Sequence, residues 1–325
     1  MPLRIVAMVL VLCGWVFRRK KTIDGKVFLF LFIVVLESFY NSAETLNILA
    51  ALLFAICGSD DVKAEEKALF YVSVLITSLF FVFLFLGMVE SRTYISTTGR
   101  IRTTMGFDNP NVAALFFSSA LYLFVLCREK IKNRHLVVAA VLELVVFYFT
   151  DSRASFFAFL CFVVLVYIMR LSIFQKKNSV LIYASDAFFV IHLLSMFFAE
   201  YLMPLNSLLS GRIMHFINMT NEAGLMRYLF GGSPLRSDNF FYMLMFKYGI
   251  FIYGLFALMV HFAMERLIKK KYYAEAAFIF AHLLLGFMES SIIRPEIASV
   301  MMVWVLIFSN TKRNGEINQS VLGTV

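Results

Sequence analysis

Long apolar blocks alternate with short polar segments over the whole chain. Eleven blocks can be distinguished, and they cover residues 3–17, 27–40, 44–57, 68–89, 111–126, 135–150, 155–169, 180–198, 240–263, 274–288 and 297–309. A helix that crosses a bilayer needs about 20 apolar residues, so we expect the shorter blocks to extend into their polar flanks. The pattern predicts an all-α, polytopic membrane protein with about 11 (10–12) transmembrane helices in a single domain, residues 1–325. Residues 27–58 could instead form one tilted helix, although the charges of the loops favour a hairpin.

The composition excludes several classes of protein. Hydrophobic residues make up 61% of the chain, whereas about 45–50% is usual for a soluble domain. A soluble fold could not bury that much apolar surface, so a water-soluble enzyme, a disordered chain and a secreted disulfide scaffold are excluded. The four cysteines lie within or at the ends of apolar blocks, which predicts neither a disulfide framework nor a zinc site. Basic residues follow the first block instead of preceding it, so this block is predicted to be retained and not cleaved as a signal peptide.

The basic residues between the blocks predict the orientation of the chain. The loops rich in Lys and Arg are residues 18–26, 127–134, 170–179 and 264–273. Because such loops stay in the cytoplasm, the N-terminus is predicted outside the membrane and the C-terminus inside the cell. The acidic segment 59–67 also falls inside. The net charge of +9 is then largely an orientation signal, and no nucleic-acid partner is expected.

The predicted outer segments contain arginine and no lysine. These segments are residues 90–110, 151–154, 199–239 and 289–296, and their eight arginines are Arg92, Arg100, Arg102, Arg153, Arg212, Arg227, Arg236 and Arg294. Arginine could simply anchor helix ends at the membrane interface, but that role does not explain the absence of lysine. A guanidinium group binds phosphate or carboxylate through two parallel hydrogen bonds. The outer face is therefore predicted to bind an anionic ligand.

Four polar clusters lie on this predicted outer face. They are Asn109-Pro110-Asn111, Asp151-Ser152-Arg153, Ser210-Gly211-Arg212 with His215, and Ser237-Asp238-Asn239, which leads into Tyr248-Gly249-Ile250. Pro110 suits the first turn of a helix, which Asn109 and Asn111 can cap, and Asp151 could be the ion partner that compensates Arg153. Residues 199–239 form a long external loop, and loops of such length tend to be functional. Its apolar patches predict short helices that lie at the bilayer surface.

The order and spacing of these clusters resemble the O-antigen ligase and Wzy-type polysaccharide polymerase superfamily of bacterial envelopes. The similar region covers roughly residues 105–260. The resemblance implies a GT-C-like membrane glycosyltransferase whose substrate is an oligosaccharide linked to undecaprenyl pyrophosphate. It also implies that repeat units are polymerised into O-antigen, capsular polysaccharide or exopolysaccharide on the outer face of a bacterial plasma (inner) membrane. Ligases of this superfamily typically carry histidine where this chain has Asp238, which favours a polymerase over a ligase.

The implied reaction suggests roles for the outer residues. Cleavage of the bond between the anomeric carbon and the phosphate oxygen leaves negative charge on the diphosphate, which fixed guanidinium groups can stabilise without a metal. Neither a metal nor a cofactor is therefore expected. Arg153 and Arg212 are predicted to bind the pyrophosphate, and Asp238 is the candidate general base or, alternatively, the N-cap of the ninth span; His215 and Glu289 are weaker candidate bases. The other predicted substrate-binding residues are Arg100, Arg102, Asn109, Asn111, Arg227, Arg236, Asn239 and Arg294. Besides membrane lipid, a flippase and a chain-length regulator of the same pathway are candidate partners.

Ionisable residues inside the predicted spans support competing hypotheses. They are Glu37, Glu143, Asp186, His192, Lys247, His261 and His282. Such groups often mark a transport path or a proton relay, so a lipid-oligosaccharide flippase or another transporter is an alternative, as is a ligase. Their scatter over many segments, without a paired half-helix repeat, instead favours hydrogen bonds between helices. A passive envelope scaffold would leave the outer arginines unexplained.

Overall fold

The computed structural model describes residues 62–95, 99–171, 179–206, 212–222, 225–232, 238–294 and 297–308. This part of the chain is mostly helical. In chain order its helices are α1 (Val62–Phe85), α2 (Pro110–Leu126), α3 (Asn133–Thr150), α4 (Arg153–Met169), α5 (Val180–Phe197), α6 (Arg212–Glu222), α7 (Leu225–Phe230), α8 (Phe240–Lys269), α9 (Tyr273–Met288) and α10 (Ala298–Phe308). Two 3-10 helices, Ala199–Leu205 and Ser290–Ile293, and a hairpin of β1 (Thr93–Ile95) and β2 (Ile101–Thr103) complete the described elements.

The described helices confirm the helical fold that the apolar blocks predict. Each block from residue 68 onward corresponds to one of α1 to α5 or α8 to α10, whereas the blocks 3–17, 27–40 and 44–57 lie outside the described residues. Three of the described helices, α1, α3 and α8, are long and apolar enough to cross a membrane, and five others are shorter and apolar. The chain is therefore a helical membrane protein, while the total of about 11 spans stays a prediction.

One predicted loop is wrong in part. The acidic segment 59–67 is not a loop throughout, because α1 begins at Val62 and carries Glu65 and Glu66 in its first turns. Lys63 donates to Glu66 at 2.8 Å, so opposite charges neutralise each other within this helix. The segment 90–110, which the charges of the loops predict to be outside, contains the β1–β2 hairpin, in which Tyr94 lies opposite Arg102.

The chain forms two compact units. The first contains α1, the hairpin, α2, α3, most of α4 and α10. Within it, α2 packs against α1, α3 and α10, and β2 packs against α3. The backbone N–H of Ser299 donates to the Ser119 hydroxyl at 2.7 Å, which ties the beginning of α10 to α2. Apolar side chains on α1 and α3, such as Leu75 and Val141, are exposed, as expected where helices face lipid.

The second unit is built around α8. This helix packs against α5, α7 and α9, and most of its side chains are buried. The long loop 199–239 contains short helices, as predicted, and two of them are α6 and α7. Gly249 interrupts α8 with φ 85° and ψ 167°, a backbone conformation that only glycine adopts readily. The predicted ninth span also continues beyond residue 263, since α8 ends at Lys269.

Candidate functional site

Three sequence-distant motifs meet in the first unit, at one end of α3. The Arg100 guanidinium donates from Nη1 to Asp151 Oδ2 at 2.8 Å. The Arg102 guanidinium donates from Nε to the backbone carbonyl of Thr150 at 3.1 Å and from Nη2 to Asn111 Oδ1. Strand β2, the beginning of α2 and the α3–α4 turn are thus held together by two arginines. We call this group of Arg100, Arg102, Asn111, Asp151 and Arg153 the arginine corner.

Local sequence explains the shape of the arginine corner. Asn109 is the N-cap of α2, with an extended backbone and a side-chain oxygen that accepts from the N–H of Asn111 at 2.8 Å, and Pro110 occupies the first turn. Both features confirm the helix start that the Asn-Pro-Asn motif predicts. Asp151 ends α3 in the left-handed conformation, with φ 44°, which aspartate tolerates better than most residues. This conformation reverses the chain within two residues before α4 begins.

Arg153 differs from the other two arginines of this corner. It lies in the first turn of α4, its side chain is exposed, and it forms no hydrogen bond or ion pair with any residue that the structure describes. The predicted pairing of Arg153 with Asp151 is wrong, because Asp151 binds Arg100 across 51 positions of sequence. The described part of the chain therefore uses none of the hydrogen-bond donors of the Arg153 guanidinium.

The second unit contains most of the other predicted site residues. Arg212 begins α6, which also contains His215; Arg227 lies in α7; Arg294 follows the second 3-10 helix and is half-buried; and Glu289 is the C-cap of α9. Arg236 lies outside the described residues. The roles assigned to these residues stay predictions from the sequence.

Asn239, and not Asp238, caps α8. The Asn239 side-chain oxygen accepts from the N–H groups of Phe241 at 2.9 Å and Tyr242 at 3.1 Å. The alternative capping role of Asp238 is therefore wrong. Asp238 is exposed and forms no ion pair with a described residue, so its carboxylate is accessible, as a general base must be.

A buried histidine, His192, lies next to Asn239. His192 of α5 interacts with the Asn239 side chain and packs against the rings of Phe241 and Tyr242. Its Nδ1 lies 3.4 Å from the Tyr253 hydroxyl, which itself donates to the carbonyl of Phe189 at 2.8 Å. The sequence places His192 inside a span but gives no signal that it faces Asn239, because the two residues are far apart in the chain.

Replacing Asn239 tests whether its amide oxygen serves the helix or a ligand. Asn239→Ser keeps a capping oxygen and should leave unfolding almost unchanged, whereas Asn239→Ala should reduce the free energy of unfolding by about 1 kcal/mol. Thermal unfolding in mild detergent measures both. If the serine variant is stable but loses activity, the amide also contacts a ligand; if both variants are as stable as the parent, the capping role is refuted.

Close backbone packing joins α7 and α8 in this unit. The N–H of Gly232 donates to the carbonyl of Lys247 at 3.0 Å. A Cβ on Gly231 would lie 2.3 Å from that carbonyl oxygen, and a Cβ on Gly249 would lie 2.3 Å from the carbonyl oxygen of Leu229. Only glycine fits at these two positions, so the Tyr-Gly-Ile motif marks a contact between two backbones.

Comparison with known proteins adds no family to this description. No protein-family model, no curated protein and no solved structure matches the chain. Among the residues that the structure describes, no three His, Cys, Asp or Glu side chains form a group that could hold a metal ion. The described helices define the class of protein as a helical membrane protein, and its first unit contains the arginine corner.

Proposed function

We propose that the chain is a membrane glycosyltransferase that polymerises oligosaccharide repeat units carried on undecaprenyl pyrophosphate. The observation that carries this proposal is the arginine corner. There the structure joins the Asn109-Pro110-Asn111 and Asp151-Ser152-Arg153 clusters, and the Arg153 guanidinium forms no hydrogen bond or ion pair with any described residue. Such a group suits an anionic ligand with several acceptor oxygens, and a diphosphate is one.

The proposed reaction transfers a glycosyl group and needs no oxidant or reductant. The bond between the anomeric carbon and the diphosphate oxygen breaks, and its electron pair leaves with the diphosphate. An acceptor hydroxyl oxygen forms the new bond to the anomeric carbon and gives up its proton to a base. The Arg153 guanidinium stabilises the charge that grows on the departing diphosphate.

Arg100 and Arg102 support this role by position. Their guanidinium groups already bind Asp151, the Thr150 carbonyl and Asn111, so part of their hydrogen-bonding capacity is used inside the protein. They fix the turn that carries Arg153. This assignment differs from the direct contact with substrate that the sequence predicts for Arg100 and Arg102. The assignments of Arg212 to the diphosphate and Asp238 to the acceptor hydroxyl are kept as part of the proposal.

A transporter is the second candidate, and the break in α8 favours it. Interrupted helices at membrane depth occur in transporters, where unwound backbone lines the substrate site. In this chain, however, the backbone at Gly249 packs tightly against Leu229, and the carbonyl of Lys247 accepts from Gly232. These contacts fill the interruption with protein, so the polymerase is the better-supported function.

An assay with purified protein in detergent separates the two functions. We expect the protein to convert lipid-linked single repeats into longer lipid-linked chains without a membrane gradient, because glycosyl transfer needs only donor, acceptor and enzyme. Product length is measured by mass spectrometry of the lipid-linked fraction. A requirement for two membrane compartments or for an ion gradient would contradict the polymerase and support the transporter.

The lipid-linked intermediates of a deletion strain separate a polymerase from a ligase. Loss of a polymerase should leave single repeats on the carrier lipid. Loss of a ligase should leave full-length polymer on the same lipid. Restoring the gene should restore the parental distribution in either case.

A further inference from the structure

A cluster of buried polar side chains lies between α2, α3 and α4, within the first unit. The Ser118 hydroxyl donates to Glu143 Oε1 at 2.9 Å, and the Ser118 and Ser155 hydroxyl oxygens are 2.9 Å apart. Glu143 is 1% exposed, Ser118 0% and Ser155 2%. Each helix contributes one oxygen-bearing side chain, and Ser118 links the other two.

One oxygen of this cluster has no hydrogen-bond partner among the described residues. Glu143 Oε2 is buried and accepts no hydrogen bond from any described residue, and no described Lys, Arg or His forms an ion pair with this carboxyl group. The Tyr122 hydroxyl, one turn beyond Ser118 on α2, is close enough to interact electrostatically with Glu143. The described side chains that interact with this carboxyl group are therefore the hydroxyl-bearing Ser118 and Tyr122.

A buried, negatively charged Glu143 without a positive partner is very unfavourable. An isolated carboxylate in a low-dielectric interior costs far more free energy than a few hydrogen bonds return. A cation next to Oε2 would cancel the charge and satisfy the orphan oxygen at once. A carboxylate and hydroxyl groups are hard oxygen ligands, which suit hard cations, and a single carboxylate balances a single positive charge.

We propose that Glu143, Ser118 and Ser155 form a binding site for one hard monovalent cation, either Na⁺ or a proton. Either ion would neutralise Glu143 at Oε2, but Na⁺ would be coordinated by the oxygen atoms whereas a proton would bond to Oε2 itself. The site is separate from the arginine corner and does not depend on the function proposed above. Since Ser155 lies two residues after Arg153, occupancy of the site also helps to hold the beginning of α4 against α2 and α3.

Thermal unfolding of the full chain in detergent tests for the cation. If the ion is Na⁺, replacing K⁺ by Na⁺ at constant ionic strength should raise the Tm by about 3 °C once Na⁺ is tenfold above its Kd. Glu143→Gln should abolish this shift. Glu275→Gln is the matched control, because Glu275 is another buried glutamate, in α9 of the second unit, and this variant should keep the full shift.

A second arm distinguishes the proton. In K⁺ buffer, raising the pH from 6 to 9 should remove a bound proton, so the Tm of the parent should fall while that of Glu143→Gln falls less. The other titratable groups on these three helices are Tyr122 on α2, Arg134, His135 and Tyr148 on α3, and Arg153, Cys161 and Tyr167 on α4, and all are present in parent and variant alike. The difference between parent and variant therefore isolates Glu143.

A milder variant keeps the test decisive if Glu143→Gln does not fold. Ser155→Ala removes one oxygen and should weaken the response to Na⁺ about tenfold in concentration, or reduce the response to pH. A response of the parent to either ion that is lost in Glu143→Gln or weakened in Ser155→Ala supports the proposal. If the parent responds to neither ion, or if all variants respond as the parent does, the cluster does not bind a cation and the proposal is overturned.

Discussion

Arg153→Lys is expected to reduce polymer growth at least about 100-fold while leaving protein level and topology intact. Lysine keeps the positive charge but lacks the planar fork that binds two phosphate oxygens together. Removing one preorganised donor to a developing anion typically lowers the rate by a factor of about 10²–10³. Chain length is measured by gel electrophoresis of the polysaccharide, and single lipid-linked repeats should accumulate.

Arg92→Lys is the matched control for this experiment. Arg92 lies in the same predicted outer segment as Arg100 but is exposed and pairs with Glu90 at 3.3 Å, so this variant should make chains of normal length. Arg212→Lys is expected to behave like Arg153→Lys. Normal chain lengths in Arg153→Lys and in Arg212→Lys would refute the arginine mechanism.

Gly249→Ala is expected to have the largest effect on stability. The new Cβ would lie 2.3 Å from the Leu229 carbonyl oxygen, and alanine would also have to adopt φ 85° and ψ 167°, a conformation that costs roughly 1–3 kcal/mol by itself. With the steric clash added, we expect a loss of about 3 kcal/mol or more in the free energy of unfolding. Unfolding by SDS titration from mild detergent measures the loss.

Gly254→Ala provides the control on the same helix. A Cβ at Gly254 meets nothing within 4 Å, so alanine should be neutral or stabilise the helix by up to about 1 kcal/mol. Gly231→Ala should reduce stability about as much as Gly249→Ala, because its Cβ would clash with the Lys247 carbonyl oxygen in the same contact between α7 and α8. Equal stability of the Gly249 and Gly254 variants would show that the two backbones do not touch.

Local signals in the sequence predict the helices well. Apolar blocks predict the membrane helices because lipid requires a continuous apolar surface, and Asn109 with Pro110 predicts the beginning of α2 because capping involves only neighbouring residues. The β1–β2 hairpin is not predicted, since its strands are only three residues long and too short for an alternating pattern to show.

Contacts between distant segments account for what the sequence does not predict. Asp151 binds Arg100 and not Arg153, and nothing in the α3–α4 turn itself distinguishes these partners. His192 faces Asn239 for an equally non-local reason. Gly249 is visible as a glycine in a long apolar run, but glycine is common in membrane helices, so its residue type alone does not predict an interruption.

The place of Arg153 at the beginning of α4 has a cost that the helix itself imposes. The peptide dipoles of a helix sum to a partial positive charge at its N-terminus, where an acidic side chain is favourable and a basic one is not. The first turn of α4 contains Arg153 and no acidic residue. Arg153→Glu should therefore stabilise α4 by a few tenths of a kcal/mol while it removes the proposed contact with the diphosphate. At this turn the chain gives up some helix stability for the guanidinium that we propose binds the diphosphate, and the helix dipole would attract the same anion.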